Sequence, residues 1–132
     1  MYCSFVMFLD VFTIITSRLK EKKDIGHDDL IKKIIDIINS EYMNQSLFVD
    51  SISDTLEMSP SYITRIFKQY TTKTILDYII EVRMKKARDL LENKVYSISE
   101  IAEKTGFSNS SYFYKAFKRE NGVTPNEYRK NS

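Results

Sequence analysis

The spacing of apolar and polar positions along the chain predicts helix nearly throughout. From Asp28 the apolar residues Leu30, Ile31, Ile34, Ile35, Ile38 and Tyr42 recur at steps of three and four. That period predicts an amphipathic helix that begins with Asp28 and Asp29 at its positive end and closes near Asn44 and Gln45. Ile75, Leu76, Ile79, Val82, Ala87, Leu90 and Leu91 hold the same period, with Glu81/Lys85 and Arg88/Glu92 four apart on the outer side. This is one continuous helix over residues 74–91, about 27 Å long at helical rise. Ahead of both, Tyr2 to Ile15 is apolar and gives way to the charged run Arg18-Leu19-Lys20-Glu21-Lys22-Lys23-Asp24, which reads as a linker.

The pattern also repeats. Ser61-Tyr62-Ile63-Thr64-Arg65-Ile66-Phe67-Lys68 aligns with Ser111-Tyr112-Phe113-Tyr114-Lys115-Ala116-Phe117-Lys118 at an offset of 50, and Ile52 to Leu56 aligns with Ile101 to Thr105 at an offset of 49. The second copy therefore carries one extra residue in its turn. Two copies are too few for a solenoid, so this is a duplicated small unit. Each copy reads as a short helix, a tight turn and a second helix. Ser97 and Glu100 have capping-box spacing, Thr124 and Glu127 form another such box, and Gly106 supplies a permissive backbone at the turn. Pro60 and Pro125 stand at first-turn positions, where the missing N–H costs nothing. Ile101, Ala102, Phe107, Phe113 and Phe117 form the apolar face of the second copy.

Length and composition agree with a small all-α protein: 132 residues, only three Gly and two Pro, 42% hydrophobic and 29% charged. No separate small-molecule domain is expected in this length. Cys3 is the single cysteine, which excludes an intrachain disulfide and fits a reducing cytoplasm. The segment Tyr2 to Ile15 has no basic residues before it, carries Asp10, and falls short of the roughly 20 apolar residues of a membrane span. It reads as the end of a packing or dimerising helix, with membrane attachment as the alternative.

A net charge of +2 does not by itself point to nucleic acid, but its distribution does more. Met58 to Lys94 holds eight basic residues against four acidic, and Ser108 to Ser132 five against two, whereas Asp28 to Glu57 is acidic. Catalytic chemistry finds no support. His27 is a lone histidine without a second ligand at metal spacing, and no nucleophile-base pair, phosphate loop or paired carboxylates can be argued. No enzyme activity, metal or other cofactor is expected.

The stretch from Ile101 to Lys118, with Thr105-Gly106-Phe107-Ser108 at its turn, followed by Gly122-Val123-Thr124-Pro125 and Tyr128-Arg129, resembles the signature of the AraC/XylS family of bacterial transcription regulators. The resemblance covers about residues 29–130 and includes the linker run Arg83-Met84-Lys85-Lys86-Ala87-Arg88-Asp89-Leu90-Leu91. It implies a seven-helix domain, two three-helix helix-turn-helix subdomains (units about 28–73 and 97–130) joined by a linker helix (about 74–92), with the second helix of each unit in the major groove. The linker's length could then set the two recognition helices about one DNA turn, roughly 34 Å, apart.

Residue by residue, Ser61, Thr64 and Arg65 of the first unit and Ser110, Ser111, Tyr114 and Lys115 of the second are expected outward, where hydroxyls and cations can read base edges. Arg65 is the best single choice for a bidentate guanine contact. Lys68, Lys118 and the hydroxyls of Ser59 and Ser108 are placed for phosphates. Tyr62, Tyr112, Phe67 and Phe117 are assigned to the core, and Lys73, Lys85 and Lys86 to a solvated face. The expected partners are double-stranded promoter DNA and RNA polymerase, with a homodimer through the N-terminal segment. Residues 1–24 resemble only the tail of the sensing or receiver domain that such regulators carry. A protein-interaction module on the same fold, with little DNA affinity, is the alternative reading.

That alternative draws on the first unit's departures. Phe48 stands where Ser97 caps, Ser51 where Glu100 completes the box, Ser53 where Ala102 packs, Glu57 where Gly106 turns and Thr72 where Gly122 ends the helix. A lost cap costs about 1 kcal/mol, and a non-Gly residue in a left-handed turn a similar amount. The first unit is expected to be the weaker, with Ser46 as a substitute cap for Phe48.

Overall fold

The computed structural model describes residues 16–132, with side chains from residue 26 onward, and the described residues form seven α-helices and no strands. These are α1 (Thr16–Glu41), α2 (Val49–Leu56), α3 (Pro60–Thr71), α4 (Ile75–Asn93), α5 (Ile98–Lys104), α6 (Ser110–Asn121) and α7 (Pro125–Lys130). The apolar segment Tyr2 to Ile15, with the dimer and membrane readings attached to it, lies outside the described residues. The chain divides into two compact units at Ile35/Asp36. In the first, Leu30 and Ile34 are buried on α1, and Lys33 meets Asp29 at 3.2 Å on its exposed side.

The start of α1 differs from expectation. Arg18 to Asp24 is helical rather than a linker, and Asp28 and Asp29 sit in mid-helix instead of at an N-terminus. Arg, Lys and Glu are good helix formers, no proline interrupts the run, and Gly26 costs only about 1 kcal/mol relative to Ala. A charged stretch with no breaker continues the helix that follows it.

In the second compact unit, Asp36–Ser132, α2 packs on α3, α3 on α4, α4 on both α5 and α7, and α6 on both α5 and α7. Each helix start has a chemical reason. Ser97 and Thr124 accept from the N–H of Glu100 and Glu127 at 3.1 Å, and the carboxylates return the bond to the cap N–H at 2.8 and 2.9 Å. Both carboxyls are thereby held below their ordinary range. Pro60 and Pro125 open α3 and α7 as first-turn residues.

The repeat reaches further than the two helices of each unit. Thr74 and Asp77 cap α4 as Thr124 and Glu127 cap α7, again 50 residues apart. Tyr78 meets Phe67 edge-on at 5.9 Å as Tyr128 meets Phe117 at 5.6 Å. The first turns of α4 are thus the third helix of the first unit, extended into a linker.

Leu47, Ile52, Ile63, Ile66, Phe67, Ile75 and Ile79 are buried in the first unit. The second is built on one cluster in which Ile80, Met84, Ala87 and Leu91 of α4 join Ile101, Ala102, Phe107, Phe113, Ala116 and Phe117. Both ion pairs expected along α4 are replaced. Glu81 takes Lys73 at 2.7 Å, which raises the lysine's pKa, Arg88 donates to Asn121 at 2.9 Å, and Glu92 accepts from the Tyr128 hydroxyl at 2.7 Å. Partners brought in by tertiary packing outcompete the exposed i,i+4 pairs, each worth only a few tenths of a kcal/mol.

The departures of the first unit fall where expected, with one correction. Glu57 and Thr72 both adopt left-handed backbone, φ 56° and 64°, matching Gly106 and Gly122 at 89° and 81°. Phe48 holds the cap position of α2 and offers no side-chain acceptor. Ser46 does not replace it: the chain reaches the cap position only at Phe48, two residues later, and at Ser46 the backbone N–H donates to Asn44 Oδ1 at 2.9 Å. Half of the box survives: Ser51 Oγ accepts from the Phe48 N–H at 3.0 Å. Ser53, buried where Ala102 packs, donates its hydroxyl to the Asp50 carbonyl at 2.8 Å.

Candidate nucleic-acid interface

The second helix of each unit presents one face to the core and the other to solvent. On α3, Ile63, Ile66 and Phe67 point inward; on α6, Phe113, Ala116 and Phe117 do. Helical geometry then turns the intervening positions out. Ser61, Thr64, Arg65 and Lys68 are all exposed on α3, and Ser110, Ser111, Tyr114, Lys115 and Lys118 on α6. Every base-reading and phosphate candidate taken from the sequence is therefore solvent-accessible, Ser59 and Ser108 included.

The starts of these helices are firmly held. Ser59 Oγ accepts from the Tyr62 N–H at 3.1 Å, and its O–H keeps a hydrogen to donate outward. The corresponding cap of α6 is Asn109, whose Oδ1 accepts from the Tyr112 N–H at 2.8 Å. Ser108 stands one place earlier, so the match to Ser59 in the repeat is Asn109. The one-residue insertion in the second turn hid this assignment. Asn109 is the residue that sequence reasoning missed, although an offset of 50 from Ser59 leads straight to it.

Two aromatic assignments to the core hold only in part. Tyr112 is 38% exposed, with its ring edge-on to Phe107 at 5.2 Å, and Tyr62 is half-buried beneath the Arg65 guanidinium at 5.4 Å. The stacked position limits the swing of Arg65 and keeps its planar fork near the outward face of α3.

Three arginines counted within the basic segments are structural instead. Arg83 is only 5% exposed. It donates from Nε to the Tyr42 carbonyl at 2.8 Å and from Nη2 to the Asn44 carbonyl at 2.9 Å, closing the C-terminus of α1. Burial lowers its pKa from the ordinary value. Arg129 closes α4 and the turn after it by donating to the Leu91 and Tyr96 carbonyls, and Arg88 ties α4 to the end of α6 through Asn121. Each spends its donors on protein oxygens. Lys86 lies over the Tyr42 ring at 5.9 Å. Among the described residues no group of three or more His, Cys, Asp or Glu gathers as a metal site requires, and no helix is long and apolar enough to cross a membrane.

This arrangement is found in known proteins. A helix-turn-helix domain family matches residues 52–131. The Msm operon regulatory protein of Streptococcus mutans is 43% identical over 100 residues, 76% of this chain and 36% of that protein. The chain thus spans about a third of that relative. The C-terminal domain of AraT, a response regulator from Geobacillus stearothermophilus, superposes with a TM-score of 0.77 at 32% identity, covering 78% of this chain and 85% of that one. The DNA-binding domain of the global transcriptional factor AdpA, solved with a target DNA, superposes at 0.71 with 25% identity over 76% and 90% of the two chains. Paired helix-turn-helix units on a shared linker helix, matched in sequence and in shape, place this chain in the AraC-type helix-turn-helix family of transcription regulators.

Proposed function

We propose that α3 and α6 enter two successive major grooves of an asymmetric promoter site, reading bases through Ser61, Thr64 and Arg65 in one and Ser110, Ser111, Tyr114 and Lys115 in the other. Sequence-specific DNA binding for transcription regulation is the function of this family's domain. The observation that carries the residue assignment is the shared outward face. Thr64 and Arg65 match Tyr114 and Lys115 at the repeat offset, and all four are exposed opposite a buried aromatic core. Ser59, Ser108, Lys68 and Lys118 flank that face and anchor phosphates. The finer partners follow from the same reading: RNA polymerase at the promoter, a cytoplasmic location, and pairing of two copies through the N-terminal segment.

Base reading and phosphate anchoring separate on α6, where Lys115 and Lys118 are three residues apart. Binding of Lys115→Ala and Lys118→Ala is measured on a site selected from random DNA and on scrambled DNA, over a range of salt. Lys115→Ala is expected to cost about 1–3 kcal/mol on the selected site and to relax preference at one or two positions. Lys118→Ala is expected to weaken all sequences alike and to lower the salt slope by about one. Equal, sequence-independent losses for the two would sink the base-reading role of Lys115. Absence of any selected site would favour the interaction-module reading instead.

A further inference from the structure

We infer that Arg83, with Gly106 beside it, is the positioning residue that fixes the spacing of the two half-sites this domain accepts. The inference rests on the groove reading above. Arg83 lies on the linker helix yet bonds to neither neighbour along it. Its guanidinium bridges the Tyr42 and Asn44 carbonyls, at the end of the helix that leads into the first unit. The same guanidinium lies over the Phe107 ring at 5.7 Å, in the turn of the second unit. Phe107 in turn packs edge-on against Tyr112 and Phe113 of α6, both at 5.2 Å. One buried cation thus connects the first unit's entry to the second unit's recognition helix through three rings.

Gly106 makes the joint possible. A Cβ there would strike the Tyr42 carbonyl oxygen and come within 2.7 Å of Arg83 Nε, so α1's end and the second turn approach closely only because this residue is glycine. The first unit's turn residue at the same place, Glu57, carries a side chain and is exposed. The joint is built once, on one side of the linker. Arg88 and Arg129 pin α4 to the second unit alone, whereas Arg83 adds to the continuous linker helix a side-chain tie that reaches across to the first unit's entry.

A rigid joint has a measurable consequence on DNA. One inserted base pair turns the second half-site by roughly 35° and moves it about 3.4 Å, which a fixed pair of recognition helices cannot follow. The full chain is used to select sites from random DNA, and binding is then measured with one base pair added or removed between the half-sites. The unaltered chain is expected to lose at least about tenfold for either change, the cost of one or more mismatched pairs. Arg83→Lys keeps the charge but loses the planar fork whose Nε and Nη2 hold the two carbonyls and the guanidinium that lies over Phe107. It is expected to reduce that penalty to about threefold or less while leaving affinity for a single half-site unchanged. An unaltered penalty, or equal weakening at every spacing, overturns the positioning role. If no site is selected, the groove reading itself fails, and the spacing role with it. A second measurement needs neither DNA nor a change at Arg83. Spin labels at Gln69→Cys and Arg119→Cys, in a Cys3→Ser background, should give one narrow distance in otherwise unaltered protein. A broad or double distribution shows a loose joint and overturns the inference as well.

Discussion

The two helix-turn-helix units solve the same folding problem with different residues. In the second, glycine occupies both left-handed positions, a reciprocal Ser97/Glu100 box starts α5, and a run of rings from Phe107 through Phe113 and Phe117 to Tyr128 fills the core. In the first, Glu57 and Thr72 take the left-handed backbone, Phe48 offers no side-chain cap, and Phe67 and Tyr78 pair edge-on. The backbone path is kept although the residues that make it cheap are gone. Local propensity is therefore secondary in the first unit. Its shape is imposed by burial of Ile52, Ile63, Ile66 and Phe67 and by the linker helix that it shares with its better-specified copy.

The largest effect should come from removing the second unit's turn glycine. Gly106→Ala adds a Cβ against the Tyr42 carbonyl and Arg83, in a backbone of φ 89°. Neither obstacle can move without breaking the Arg83 bonds, so a loss of about 3 kcal/mol or more is expected in denaturant unfolding. A loss below about 1 kcal/mol would mean that the joint yields easily.

Next in size is the difference between the units themselves. One missing cap and two strained turn residues, at about 1 kcal/mol each, amount to about 3 kcal/mol. Without DNA, amide exchange should accordingly be faster over residues 48–72 than over 97–122. Equal protection of both would show that the domain opens as one cooperative body. Restoring the cap should recover part of the gap. Phe48→Ser supplies the acceptor that α2 lacks, with Ser51 already in place to complete the box, and it removes a ring that is 59% exposed. A gain of about 1 kcal/mol is expected, and a loss would show that the Phe48 ring packs usefully. Glu57→Gly should gain less, about 0.5–1 kcal/mol, because relief of left-handed strain is offset by the entropy glycine adds to the unfolded chain.

How much of this was legible depends on the range of the interaction. Caps, first-turn prolines, the left-handed turns and the outward faces of α3 and α6 are set by residues within four positions of one another, and the spacing in the sequence shows them. Arg83, Arg88 and Arg129 looked like members of a basic surface because sequence reveals charge and not partners. Their acceptors lie 41, 33 and 38 residues away, respectively, for Tyr42, Asn121 and Leu91. The extension of α1 through Arg18–Asp24 is hidden for a different reason: a charge cluster has the composition of a linker, although its residue types are helix formers. Asn109 escaped because the inserted residue shifts the second turn between two alignment offsets.

The smallest effect expected separates the units by pH. Both α2 and α5 close their boxes from the third helical residue. In α5 the acceptor is the Glu100 carboxylate, at 2.8 Å from the Ser97 N–H, whereas in α2 it is the uncharged Ser51 hydroxyl at 3.0 Å from the Phe48 N–H. The hydrogen bonds from the Ser97 backbone and hydroxyl hold the Glu100 carboxyl below its ordinary value of 4.5. A carboxyl depressed on folding stabilises the fold at pH values above its unfolded value, and that contribution disappears as pH falls through the folded one. The box of α5 therefore loses strength as pH drops below about 4.5, the ordinary value of Glu100, while that of α2 has no proton to take up. The group is fully exposed, so the change is read as a trend. Amide protection at the start of α5, corrected for intrinsic rates, should fall relative to α2 on acidification. Glu100→Gln, which keeps an acceptor but cannot titrate, should flatten that fall. If wild type and Glu100→Gln lose protection in parallel, the acid sensitivity of the second unit arises elsewhere, and the charged box is worth no more than the neutral one.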